Sequence, residues 1–337
     1  MPCFNVADVV GRTIISVCSQ TFTSFELIMV DDGSSDETVQ VIRDATAENL
    51  PAGAEFRILF QANRGAGAAR NRGMSEARGD LIAFLDADDL WQPEYLATAA
   101  AAFEEFPELE ALASNSWDQL PNARQRLNIQ PGGGGVLIIE DFFEASSKQS
   151  IVLRTSGVTV RRSVVGRVGG MREDLIRAQD TEYWARLAAS GVRWGFSLEP
   201  LVIYNGVRLE SLSRNESRFA NAPSPETWSS EIWPLLDPRG AKSFRKWYLD
   251  YARSWCRLEL QVGLDERAKA TAREALPRAA GWRNTLFLLA ASYLPGELYR
   301  FVWRTGAPVK RLLLKALKAR PTGRLKPPSR ADEDSMA

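Results

Sequence analysis

The chain has 337 residues, 45% hydrophobic and 25% charged, with 42 basic and 42 acidic side chains and a formal net charge of zero. That is enough apolar material for one large domain and a smaller one, and the balanced charge sets up no general field toward nucleic acid. It contains no histidine, which excludes Ser-His-Asp and Cys-His catalysis and histidine-zinc sites and leaves acid–base work near neutral pH mainly to Asp and Glu.

Along the chain, Val10, Ile14 and Val17 recur at helical spacing, and FELIMVDD (25–32) reads as a buried strand ending in two acids. Ser34, with Glu37 three residues on, has the spacing of a capping box for the next helix. FRILFQ, from Phe56, is a second strand, a helix runs through MSEAR (74–78), and LIAFLDADD (81–89) closes the series. Strands alternating with helices predict an α/β fold with a mostly parallel sheet and ligands at the carboxyl ends of its strands. Both acidic clusters fall at such ends.

From about Asn115 to Gly135 the pattern dissolves into polar residues and four consecutive glycines, which predicts a mobile loop. Helix and strand signals return from Val136 to Tyr204. After about Ser224 the chain becomes rich in Trp and Arg in helical segments such as 242–261, and from Arg320 it is Pro-rich and polar, the composition of a disordered tail. The expected division is a domain over 1–215, a helical extension over 216–320 and a tail over 321–337. Cys3, Cys18 and Cys256 are odd in number and far apart, which fits reduced thiols in a cytoplasmic protein. The longest apolar candidate, 285–294, is too short to span a bilayer.

LIAFLDADDLW (81–91) carries the chemistry: an apolar run delivers Asp86, Asp88 and Asp89 to one strand end. Like charges this close repel, and hard cations such as Mg²⁺ or Mn²⁺, which also bind substrate phosphates, are the natural compensation. The alternative is an Asp-rich turn capping the helix that Pro93 opens. GAGAARNRG (65–73) looks like a dinucleotide fingerprint, but Arg70 stands where the third glycine would allow close packing. A backbone approaching a phosphate that Arg70 neutralises fits better, the alternative being a Gly-rich turn with a surface arginine. Asp180 opens the helical segment AQDTEYWARLAASG (178–191), as a helix cap or, in a chain without histidine, as a general base.

PCFN (2–5), SVCSQTF (16–22), ELIMVDDGSSDET (26–38), NRGAGAARNRGM (63–74), GDLIAFLDADDLWQPEYL (79–96) and QDTEYWARLAASG (179–191) occur in this order. Together they closely resemble the family-2 inverting glycosyltransferases of bacterial polysaccharide synthesis, which have the GT-A fold, over roughly residues 1–210. The resemblance implies that Pro2 and Phe4 lie against the nucleotide base, that Asp32 reads the base edge with Asp31 beside it, and that Arg70 lies near the nucleotide. It implies that Asp86, Asp88 and Asp89 form the D-x-D region, with Asp86 and Asp88 toward the donor and Asp88 and Asp89 on the metal, Mn²⁺ or Mg²⁺. Asp180 matches the catalytic base, preceded here by Gln179 where the family usually has Glu. The expected reaction is metal-dependent transfer of a sugar, with inversion, from a UDP-sugar to the hydroxyl of a glycan or lipid-linked acceptor. Two rivals are a catalytically impaired nucleotide-sugar-binding protein and a nucleotidyltransferase that makes sugar nucleotides. The latter needs a Gly-rich, basic loop after the first strand, where this chain has Asn5 and Asp8.

Two expectations concern the chain's ends. Ten basic residues and no acid lie between Arg300 and Arg330, beside an apolar stripe of Val309, Leu312, Leu313, Ala316 and Leu317. That pattern suits either an anionic membrane surface, on the inner face of the cell membrane, or packing on the catalytic domain with a solvated basic face. Members of the resembled family also carry a buried strand directly before the block that here reads PCFN, so the first strand looks truncated and an upstream extension is expected.

Overall fold

A computed structural model describes residues 1–119, 125–129, 134–205, 224–261 and 264–278. The chain opens with a short strand β1 (Pro2–Cys3) parallel to β2 (Glu26–Asp31), which is parallel in turn to β3 (Glu55–Phe60). Every residue of β2 after Glu26 is buried, which is why it reads as a continuous apolar run. Helix α1 (Val10–Cys18) buries Val10, Ile14 and Val17, the face its spacing predicts. Helix α2 (Thr38–Asn49) begins one turn later than the Ser34–Glu37 pair suggests. Ser34 Oγ instead accepts a hydrogen bond from Asn5 N (3.0 Å), so the hydroxyl that would cap the helix ties down the loop after β1. Helix α3 (Ala66–Glu76) follows β3.

The second sheet runs β4 (Leu81–Ala83), β9 (Val158–Arg161), β6 (Ala111–Gln119), β10 (Trp194–Tyr204), β5 (Leu90–Trp91). In addition β7 (Gln125–Leu127) pairs with β6 and β8 (Val136–Ile139) with β10. Among the described residues only the β6–β10 pair of this sheet is parallel; β4–β9, β6–β9, β6–β7, β8–β10 and β5–β10 are antiparallel. Parallel order thus characterises the first sheet, whereas the second is mixed. The predicted loop from Asn115 is also different: β6 continues to Gln119, with Asn115 and Ser116 fully buried. Its polar residues are satisfied internally, Asn115 Nδ2 donating to Ile129 O (2.8 Å) and Leu198 O (3.0 Å). Polar composition therefore marks a hydrogen-bonded strand here.

Helices α4 (Tyr95–Glu105), α5 (Phe142–Ser147), α6 (Arg162–Val168) and α7 (Gln179–Ala189) flank the second sheet. Beyond residue 223 come α8 (Pro225–Ile232), the 24-residue α9 (Pro238–Gln261) and α10 (Asp265–Ala275). Their apolar faces are not a separate core. One buried cluster runs from Phe84, Trp184 and Trp194 through Phe142 and Phe143 to Phe244, Trp247 and Tyr248 on α9. The expected boundary at 215/216, the apolar segment 285–294, the basic stripe of 300–330 and the expected tail all lie outside the described residues. No helix among the described residues is long and apolar enough to cross a membrane.

Between the facing edges of β2 and β4 lies a mostly apolar cleft of about 390 Å³, lined by Leu27, Leu81, Phe84 and Ala99. Met1 sits at its mouth, its amine donating to Ile28 O and its carbonyl accepting from Val30 N, both at 2.9 Å. Burial lowers the pKa of that amine.

Candidate active site

The carboxyl end of the first sheet gathers the amino-terminal candidates. Pro2 lies in β1, and Asp32 N donates to Cys3 O (2.8 Å), bringing Asp32 beside Phe4. Phe4 is half-buried and precedes Asn5, which holds a left-handed conformation (φ 50°). Asn5 Oδ1 in turn accepts from Ser35 N (2.9 Å), fixing the two loops together. Asp32 is buried, and its carboxylate accepts from Gln61 Nε2 (2.8 Å), Arg64 N (2.9 Å) and Gly65 N (2.8 Å). It therefore shapes the Gly65 turn that starts α3. Gly65 has φ 89°, a conformation that favours glycine.

Arg70, on the buried face of α3, points at the second sheet. Its Nη2 lies 2.5 Å from Asp86 Oδ1, and Nε and Nη1 are buried without a partner among the described residues. Burial works against its charge, but Asp86, Asp180 and Asp88 outweigh that and raise its pKa above the ordinary guanidinium value. Of these acids Asp86 is the one in contact with the guanidinium, and Asp88 and Asp180 act on it through their charge. The sequence reading sets Arg70 near the phosphates of a ligand, and its N–H groups without a partner among the described residues are charged donors of the kind that meet an anion.

Among the three acids of the turn after β4, Asp86 and Asp88 are half-buried and Asp89 is buried. Asp89, expected among the metal ligands, has both carboxylate oxygens engaged. Oδ2 accepts from Ser156 Oγ (2.5 Å) and Oδ1 from Asn205 N (2.8 Å). Burial, then the charges of Asp88 and Asp86, push its pKa well above the usual carboxylate range. A side chain so occupied ties the turn to Ser156 and Asn205. Among the described residues no three Asp, Glu, Cys or His side chains converge as a metal cluster. The donor set that remains, Asp88 beside Asp86, suits a cation that takes its other ligands from water and substrate phosphates.

Asp180 is the second residue of α7 and does not cap it; the residue before the helix is Ala178, held at φ 63°. Instead Oδ1 accepts from Thr181 N (2.7 Å) and Oδ2 from Thr155 Oγ1 (2.8 Å). The segment leading to it is clamped to α3: Asn71 Nδ2 donates to Met171 O (2.8 Å) and Met171 N to Asn71 Oδ1 (2.7 Å). Asp180 opens onto a cleft of about 660 Å³, walled by Phe142, Trp184, Arg154 and, from α9, Trp247 and Tyr251. The Trp247 and Tyr251 rings stack at 5.7 Å with planes 11° apart. Burial, followed by the charge of Asp180, raises the Tyr251 pKa, so its phenol stays protonated beside the carboxylate.

Sequence reasoning missed Thr155, Ser156, Asn205 and Tyr251. RTSG (154–157) carries no motif, and Tyr251 belongs to a helix read only as part of an extension.

Comparison with known proteins places this site in a family context. Residues 1–154 match the model of glycosyl transferase family 2. An uncharacterized glycosyltransferase of Escherichia coli, YibD, is 31% identical over 206 residues, which are 58% of this chain and 53% of YibD. The chain thus spans about half the length of that relative. Staphylococcus aureus TarS 1–349, solved in complex with UDP, superposes with a TM-score of 0.62 at 20% identity, covering 90% of each chain. The mannosyltransferase PcManGT of Pyrobaculum calidifontis, in complex with GDP-Man and Mn²⁺, gives 0.55 at 18% identity, covering 94% of this chain and 84% of that one. The fold is the GT-A-like fold these structures share.

Proposed function

We infer that this chain, which belongs to glycosyl transferase family 2 through residues 1–154, transfers a sugar with inversion from a nucleotide-diphosphate sugar, a UDP-sugar in the first instance, to the hydroxyl of a glycan or lipid-linked acceptor. The observation that carries the reading is Arg70, buried against Asp86 of the β4 turn, with two nitrogens unpartnered among the described residues and within the field of Asp180. That arrangement suits a diphosphate leaving group on one side and a deprotonated acceptor on the other. UDP in the TarS complex and GDP-Man in the PcManGT complex support a nucleotide-sugar donor.

In this reading the base lies toward Phe4 and Asp32, and the diphosphate reaches Arg70. Asp180 takes the proton of the acceptor hydroxyl as the acceptor oxygen bonds to the anomeric carbon and the bond from that carbon to the phosphate oxygen breaks. Proton removal of this kind is worth ~10²–10⁴-fold. Arg70 meets the charge that develops on the departing nucleoside diphosphate. A divalent cation held by Asp88 and the donor's phosphate oxygens would supply further neutralisation. The aromatic cleft beside Asp180 receives the acceptor, whose sugar faces suit the Trp247 and Tyr251 rings.

The test is hydrolysis and transfer with a donor panel (UDP-glucose, UDP-galactose, UDP-N-acetylglucosamine, GDP-mannose) and Mn²⁺, comparing the wild type with Asp180→Asn. The variant is expected to bind UDP normally and lose ~10²-fold or more in turnover. Unchanged turnover removes Asp180 from the chemistry. UDP binding without any turnover identifies a nucleotide-sugar binder, and product from sugar phosphate plus UTP identifies a nucleotidyltransferase.

A further inference from the structure

The two halves of the site meet at one turn of three residues. Thr155–Gly157 forms a single 3-10 turn immediately before β9. Thr155 Oγ1 donates to Asp180 Oδ2 (2.8 Å), and the next residue, Ser156, serves the acidic turn twice. Its Oγ donates to Asp89 Oδ2 (2.5 Å) and accepts from Asp86 N (3.1 Å). Its carbonyl accepts from Trp91 Nε1 (2.6 Å), on the strand that follows that turn.

The turn is held from every side. Thr155 and Ser156 are buried, and a Cβ on Gly157 would lie 3.2 Å from Ser114 O and 3.3 Å from Val202 Cγ2. Arg154, just before it, places Nη2 on both oxygens of Asp118 (3.0 and 2.8 Å) and its guanidinium over the Tyr204 ring (4.2 Å). Val158, just after it, accepts from Phe84 N (2.9 Å), two residues before Asp86. A turn fixed to two sheet strands and bonded to both carboxylate groups is a spacer of defined length.

We propose that the Thr155–Ser156 pair is the register between base and donor site, Thr155 positioning Asp180 and Ser156 positioning the turn of Asp86 to Asp89. The inference rests on the functional reading above. Supporting hydrogen bonds of this kind hold a reactive group within fractions of an ångström of its working geometry, and a misplacement of about 1 Å costs ~10²-fold. Two neighbouring hydroxyls therefore have separable kinetic consequences.

The experiment uses the full chain and the donor of the panel hydrolysed fastest, with kcat, KM and UDP affinity measured for Thr155→Val, Thr155→Ser and Ser156→Ala, each checked for a cooperative melt. Thr155→Val is expected to lower kcat about tenfold to a hundredfold while UDP affinity stays within about twofold. Thr155→Ser, which keeps the hydroxyl, restores most of the loss. Ser156→Ala is expected to weaken UDP binding by about fivefold or more. Unchanged kcat in Thr155→Val overturns the proposal, as does a serine variant no better than the valine one. Parallel changes in kcat and affinity in both positions also overturn it, since they describe a merely structural turn. A wild type that turns over no donor overturns the functional reading and this inference with it; normal turnover with insensitive variants overturns this inference alone.

Discussion

Arg70 Nη2 on α3 meets Asp86 Oδ1 after β4 at 2.5 Å, yet among the described residues only one of the guanidinium's three nitrogens is used. The unused pair is expected to receive phosphate oxygens. Arg70→Lys keeps the charge but not the fork, so UDP affinity should fall about tenfold or more by calorimetry, with a smaller effect on a monoanionic ligand such as inorganic phosphate near pH ~6. Equal affinity in the variant would place the diphosphate elsewhere.

The clamp between α3 and the segment before Asp180 is sensitive to a single methyl group. A Cβ at Gly170 would sit 2.5 Å from Asn71 Oδ1, and Asn71 cannot swing away without releasing Met171. Gly170→Ala is expected to cost ~1–3 kcal/mol of stability. Turnover should suffer more than UDP binding, since the displaced segment leads to Asp180, the proposed base. Denaturant melts and parallel kinetics measure the two effects.

Glu259 gives the helical region a pH signature. It is fully buried on α9, accepting from Thr271 Oγ1 (2.8 Å) and Trp255 Nε1 (3.2 Å) with Arg267 Nε at 3.4 Å. Burial dominates and raises its pKa despite those partners. A raised carboxyl pKa means that protonation favours the folded state. This contribution is fully present below the ordinary glutamate pKa and is lost as pH rises through the folded value. Glu259→Gln should therefore gain on the wild type in melting temperature as pH rises from about 4 to about 7. A constant difference across that range would show that Glu259 does not titrate on folding.

The three thiols are expected to be silent in the native protein. Cys3, Cys18 and Cys256 are all buried, and burial pushes Cys3 and Cys256 up to about 12 and raises Cys18 as well. Thiolate is the reactive form, so a disulfide reagent near pH ~8 should label the folded chain slowly and all three cysteines quickly in guanidinium. Cys18, the most accessible of the three, should react first.

What could be read from the sequence follows the range of the forces involved. The acidic strand end at Asp86, the burial of β2 and the apolar face of α1 are local patterns and appear where expected. So does the placing of Asp180 at a helix start. The Ser34–Glu37 pair carries the right spacing for a cap, yet a contact from Asn5, 29 residues away, takes the serine. Asn115 and Ser116 look like loop residues because composition cannot show that distant carbonyls satisfy them. Asp89 is indistinguishable from Asp88 by type, and only burial against Ser156 and Asn205 separates their surroundings. Thr155 and Ser156 are ordinary hydroxyl residues whose importance arises from partners 25 and 67 positions away. Periodicity and propensity do not reach that far.

The cleft between β2 and β4 bears on how the protein yields to force rather than to heat. Packing volume that a fold leaves unfilled is recovered by solvent when the chain opens, and pressure drives the equilibrium toward the smaller total volume. The seam between the two sheets contributes a mostly apolar volume of about 390 Å³. Compression to the kilobar range should therefore part the molecule along this seam first, with the first sheet losing order while the β6–β10 platform and its helices hold. Fluorescence of Trp91, which lines the seam, against that of Trp194, which does not, would follow the two events separately.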